Sequence, residues 1–216
     1  MEIFIDVDVQ NDFCDPKGAL YVAGSPNEAF RTLVRAAKTR GAALIGSVDS
    51  HAFDAWEFAS SGNRGPQGEA PGFPDHCVKG TWGWLKVEGT LPKRFRFVPN
   101  VPGLDMAALA EEVATRAVGG VYFEKEVYSL FVNPNAAALL SELARIRGES
   151  LEARVFGVAT DYCVKAAAIG LCERGIATTV LSDAIAAITP EGGEQALSEM
   201  RAAGAKITTL AELGIG

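Results

Sequence analysis

The chain has 216 residues, 48% of them hydrophobic, and a formal net charge of −7. That balance suits one domain with a substantial core and excludes a basic nucleic-acid footprint or a basic membrane-surface patch. No apolar run is long enough to span a bilayer, and four cysteines, Cys14, Cys77, Cys163 and Cys172, are too few for a disulfide scaffold, which points to free thiols in a reducing cytoplasm.

From the N-terminus, "MEIFIDVDVQ" runs straight into a strand-like pattern, "IFIDVDV" (3–9), without the basic flank or cleavage site of a signal peptide. A helical pattern over "PNEAFRTLVRAAKTRG" (26–41) leads to a second strand, "ALIGSVDS" (43–50). Residues 51–104, rich in Gly, Pro and Trp, show no periodicity. So long a connection is functional or disordered, and its aromatics favour a functional loop. Beyond it, helical patterns over 105–120, 134–148, 161–175 and 190–204 alternate with strands at "GVYFEK" (120–125), "RVFGVAT" (154–160), "TTVLSDA" (178–184) and "KITTL" (206–210). The helical patterns close on a glycine where a left-handed C-cap is wanted. The alternation predicts right-handed βαβ units and a mostly parallel six-stranded sheet covered on both faces, a three-layer α/β/α fold in a single domain over 1–216.

Open parallel sheets bind ligands beyond the carboxyl ends of their strands. On that edge the sequence puts Asp8, then Asp49 with His51, then Lys125, and through "VAT" Cys163. Free cysteine is usually a small core hydrophobe, a reading that suits Cys172. Cys163 instead falls in the first turn of a helix, where unpaired N–H groups and the dipole favour a thiolate. Asp161 opposes ionisation unless it turns away as the N-cap, and a cation such as Lys125 would more than offset it. A buried Asp8 needs a partner, and Lys125 is the obvious one. Asp6, on the same strand face, has no evident role. His51 and His76, the only histidines, bracket the aromatic-rich loop and bring carboxylates with them, a set that suits zinc first and iron or manganese nearly as well.

The blocks "DVQNDF" (8–13), "DSH" (49–51), "FPDHCVKGT" (73–81), "EKEVYSLF" (124–131), "GVATDYCVKAAA" (157–168) and "VLSDAIAA" (180–187) run through nearly the whole chain. Together they resemble the nicotinamidase/isochorismatase-like cysteine hydrolases, the nicotinamidase branch most closely. The resemblance implies that fold, and hydrolysis of nicotinamide to nicotinate and ammonia through a cysteine thioester. It implies Cys163 as nucleophile, Asp8 as general base and acid and Lys125 as third member. A cis peptide at Val158–Ala159 would shape an oxyanion hole from the N–H groups of Ala159 and Cys163. It implies one divalent metal ion on Asp49, His51 and His76, with a fourth ligand at Glu57 in preference to Glu69, and ring contacts from Phe13 and Phe73. The partner implied is a small carboxamide, and a homo-oligomer is compatible with the pattern. Residues 59–72 and the segment 82–103, "WGWLKVEGTLPKRFRFVPNVPG", depart from the family pattern and could reshape the pocket mouth. Weighed against this reading are an amidohydrolase of the same superfamily acting on a carbamoyl or ureido substrate, and a catalytically silent binding protein.

Overall fold

Residues 1–215 are described by a computed structural model. In chain order the elements are β1 (Glu2–Val7), α1 (Asn11–Cys14), α2 (Asn27–Arg40), β2 (Ala43–Asp49), β3 (Phe95–Val98), α3 (Met106–Ala114) and β4 (Gly120–Lys125). There follow α4 (Pro134–Arg147), β5 (Glu152–Val158), α5 (Lys165–Glu173), β6 (Ala177–Ala186), α6 (Pro190–Ala202) and β7 (Lys206–Thr208). The strands form one parallel sheet in the order β3-β4-β2-β1-β5-β6-β7.

Alternation along β1 shows how the layers arise. Ile3, Ile5 and Val7 join one apolar cluster with α3, α4, α5 and α6, while Phe4 joins another with α2. Helix α2 shares its face with residues of the long connection, among them Cys77 and Val87, and with Leu210 and Ile215. Glycines Gly41 and Gly148 cap α2 and α4 in the left-handed conformation, as the sequence pattern predicts.

The sheet has seven strands where the sequence predicts six. The extra strand, β3, lies inside the stretch read as irregular. It is a four-residue edge strand paired only with β4, and its alternation of Phe95, exposed Arg96 and Phe97 is too short to stand out. Helix α3 also stops at Ala114, short of the predicted 120, as the chain turns through Arg116 at φ 60°.

The long connection is anchored rather than loose. Isolated bridges join Gln10 to Lys86, His51 to Val78 and Phe58 to Phe73. Lys86 Nζ lies 2.6 Å from Asp6 Oδ1, both side chains fully buried, and 5.0 Å from the centre of the Tyr122 ring. Asp6 therefore has a partner: it ties the connection to the sheet. Its carboxyl is raised above the ordinary range because burial outweighs the nearby ammonium.

Candidate active site

The register fixes which residues meet at the carboxyl edge. Val7 lies opposite Ser47 on one side and Gly157 on the other, and Asp49 lies opposite Lys125. The residues just after these positions thus emerge side by side from β4, β2, β1 and β5. Asp8 leaves the ladder with φ 49°, a left-handed turn that a short aspartate tolerates better than most side chains. Gly157 has φ 124°, and a Cβ there would sit 2.0 Å from Val7 O, so only glycine lets β5 pass this close to β1. The peptide Val158–Ala159 is cis, and a π-helical turn, Thr160–Val164, carries Cys163. Such turns are common at functional sites.

The sequence-predicted Asp8, Lys125 and Cys163 meet in one buried cluster. Lys125 Nζ is 2.8 Å from Asp8 Oδ2, 2.9 Å from Asp49 Oδ1 and 3.5 Å from Cys163 Sγ. Asp8 Oδ1 accepts from the Ser47 hydroxyl at 2.7 Å, whereas Oδ2 has no hydrogen-bond donor beyond its ion pair. Burial works against the Lys125 charge, yet Asp49 and Asp8 hold its pKa well above the ordinary value. Burial pushes the Cys163 thiol well up, with Asp8 and Asp49 adding to it and Lys125 opposing. What raises it is first of all burial, against which Lys125 is the largest opposing influence; Asp161, the acid that Lys125 was expected to offset, does not act on the thiol. Asp161 is not an N-cap. Its carboxylate accepts from the N–H groups of Ile188 and Thr189 and so faces away from the thiol.

Next to this cluster, the two histidines and two carboxylates form an alternating ring. His51 Nε2 lies 3.1 Å from Asp49 Oδ2 and 3.2 Å from Glu57 Oε1, and His76 Nε2 lies 3.4 and 3.3 Å from the same two atoms. These sides are what neighbouring ligands about 2.0–2.2 Å from one ion subtend. His76 Nδ1 is 2.8 Å from the Pro74 carbonyl, a contact that leaves Nε2 to face the carboxylates. Although burial disfavours its charge, Asp49 is held well below the ordinary carboxylate range by Lys125 and both histidines. Asp49, His51 and His76 are all buried, and their donor atoms lie within 4.8 Å of one another. This nitrogen and oxygen donor set fits a divalent cation, zinc foremost. Of the two glutamates weighed for the fourth position, Glu57 is in the ring, while the exposed Glu69 accepts from the Gln67 N–H instead.

A narrow cavity opens over both clusters, lined by Asp49, Glu57, His76, Ala159 and Cys163 together with Phe13 and Phe73. Tyr128 and Tyr162, with ring centres 5.2 Å apart, line it too and have no signal in the sequence. Gln10 was also missed. Its amide accepts from the Asp49 N–H at 2.8 Å and donates to the carbonyls of Asp49 and Trp84, both at 2.9 Å. It clamps the main chain of a ring residue to the long connection. Cys172, expected in the core, is half-buried and packs against the core cluster.

Sheet order, carboxyl-edge cluster and His–carboxylate ring together define an isochorismatase-type α/β hydrolase scaffold. The isochorismatase domain model matches residues 2–212, and the chain belongs to that family. Among curated proteins, it is 32% identical to the nicotinamidase/pyrazinamidase of Mycobacterium tuberculosis, covering 96% of this chain and 98% of that one. It is 30% identical to the nicotinamidase of Escherichia coli, covering 95% and 93%. Among solved structures it resembles the zinc complex of Pyrococcus horikoshii pyrazinamidase, with a TM-score of 0.70 and 28% identity over 96% of this chain and 98% of that chain.

Proposed function

We propose that the protein is a metal-assisted cysteine amidohydrolase that converts nicotinamide to nicotinate and ammonia. The observation that carries this reading is the buried Asp8–Lys125–Cys163 cluster sharing one cavity with the His51–Glu57–His76–Asp49 ring. The activities of the two curated relatives support the substrate.

In this reading the Asp8 carboxylate takes the thiol proton of Cys163 as the sulfur attacks the carboxamide carbon. Lys125 balances the negative charge that passes from the carboxylate to the sulfur as that proton moves. Charge on the carbonyl oxygen meets the N–H groups of Ala159 and Cys163, donors worth roughly 3 kcal/mol each. Asp8 then returns its proton to the leaving nitrogen, which departs as ammonia and leaves a thioester. Water deprotonated by the same carboxylate cleaves the thioester and regenerates the thiol. A divalent ion held by Asp49, His51, Glu57 and His76 would supply a Lewis-acid contact for the pyridine nitrogen. Phe13 and Phe73 flank the ring and hold its plane.

The test is ammonia release from nicotinamide by the purified protein, with metal content measured alongside. Turnover that chelation abolishes and zinc restores is expected. Hydrolysis of a carbamoyl or ureido substrate in preference to nicotinamide would reassign the substrate.

A further inference from the structure

At the opposite end of the sheet, where the strands begin, lies a second and larger cavity of about 570 Å³. Its floor is apolar, built from Val34, Leu44, Val113 and Val118. Around it stand six cations, Arg35, Lys38, Lys93, Arg94, Arg116 and Arg147, all exposed, and the lining contains no acidic side chain. In a chain of net charge −7 this is a concentrated exception. None of the six has a carboxylate partner among the described residues, whereas nine of the other fourteen Lys and Arg do.

Cations gather at this edge of an α/β sheet partly to offset helix dipoles, and α2, α3 and α4 all end here. Each helix end carries about half a negative charge, so the three together leave roughly four of the six positive charges unopposed. Arg94 and Arg147 each donate one N–H to a carbonyl, of Arg116 and Ala114, which leaves the rest of each guanidinium free. Lys93 and Arg94 belong to the segment that departs from the family pattern, so this end of the molecule has a feature the active-site chemistry does not account for.

We propose that this cavity binds a small polyanion carrying a flat ring, in chemical class a nucleotide. The volume lies within the range of small-molecule sites. The apolar floor suits a ring face, and guanidinium groups match phosphate oxygens in pairs. The site is separate from the catalytic one. Strand β2 runs from Ala43 in this cavity to Asp49 in the other, about 20 Å at the rise of an extended chain.

Titration calorimetry of the whole protein with ATP, adenosine, inorganic triphosphate and poly-glutamate tests this. At low ionic strength ATP binds with a Kd below about 1 mM, and more tightly than adenosine or triphosphate, each of which offers half of the recognised chemistry. Raising the salt weakens ATP binding. Two double charge reversals on different elements, Lys93→Glu with Arg94→Glu and Arg35→Glu with Lys38→Glu, each weaken it about tenfold or more. Circular dichroism shows whether each variant folds, and the second pair serves if the first does not. The proposal is overturned if ATP does not bind at about 1 mM, or if both folded variants bind it as the parent does. Triphosphate matching ATP would remove the ring from the proposal and defeat it. Tighter binding of poly-glutamate than of ATP would make the cavity a protein-docking surface and defeat it equally.

Discussion

Strand β1 and the residue just beyond it hold two buried aspartates two residues apart, and each stands with a lysine and a cysteine from elsewhere in the chain. Asp8 meets Lys125 and Cys163, while Asp6 meets Lys86, whose charge and that of Asp6 both act on Cys14. The residue types are the same and the outcomes differ. Asp8 lies one residue beyond the ladder, in a left-handed turn, and Cys163 lines a cavity. Asp6 lies within the ladder opposite Gly46, and Cys14, only 1% exposed, packs among Phe4, Phe13 and Phe30. Burial pushes the Cys14 thiol up to about 12 and raises Cys163 as well, so burial alone does not separate them. What separates them is access: a substrate carbonyl can approach one sulfur, and side chains close over the other.

Removing each sulfur is the strongest test of that difference. Cys163→Ala should lower nicotinamide turnover by about 10⁴-fold or more, because the bond-forming atom is gone. Cys14→Ala should leave kcat within a small factor and cost stability instead. A Cys14→Ala protein as inactive as Cys163→Ala would erase the distinction.

The lysines come next. Lys86→Ala leaves Asp6 uncompensated in the core and should lower unfolding free energy by about 3–5 kcal/mol in urea titrations. The double change Asp6→Leu with Lys86→Met should recover most of that, since a well-packed apolar pair replaces a desolvated ion pair. Were Lys86→Ala to fold as stably as the parent, the anchoring role of this pair would be lost.

A smaller effect is expected at Gln10, which reaches across the gap between the long connection and Asp49. Gln10→Ala should weaken metal binding about 10- to 100-fold, read by elemental analysis after competition with a chelator. Unchanged metal content would mean that Asp49 is positioned without it.

The smallest effect is in pH dependence of the metal-free protein, where the two carboxylates act in opposite senses. Asp6 is raised above its usual 3.8, so the folded state keeps a proton the unfolded chain has released. Its contribution is therefore destabilising as pH climbs above 3.8, and Asp6→Asn should flatten that fall. Asp49 is lowered, so its stabilisation is present above 3.8 and is lost as pH drops below it. A stability profile in which Asp6→Asn steepens the decline above 3.8 would reverse the sign argued for Asp6.

The sequence by itself determined the βαβ alternation, the parallel sheet and the carboxyl edge on which Asp8, Asp49, Lys125 and Cys163 gather. Those features follow from short-range periodicity and from one general rule about where open sheets bind ligands, and both are written in local residue order. Residue order also paired His51 with His76, and the resemblance of six short blocks added the residue roles and the shortlist for a fourth ligand. Only the tertiary structure decided the rest. Edge strand β3 is too short to show a period, and it is the fold of the loop that sets Glu57, preferred over Glu69 on the resemblance, beside both histidines. The Asp6–Lys86 pair joins positions 80 residues apart, and Gln10 acts on Asp49 through the main chain, which leaves no mark in residue type. The six cations at the far edge come from three helix ends and one departing segment, and nothing short of the packed sheet puts them around a single cavity. Local patterns record which face a residue turns to the core; which distant residue waits on that face is set by chain reversal and burial.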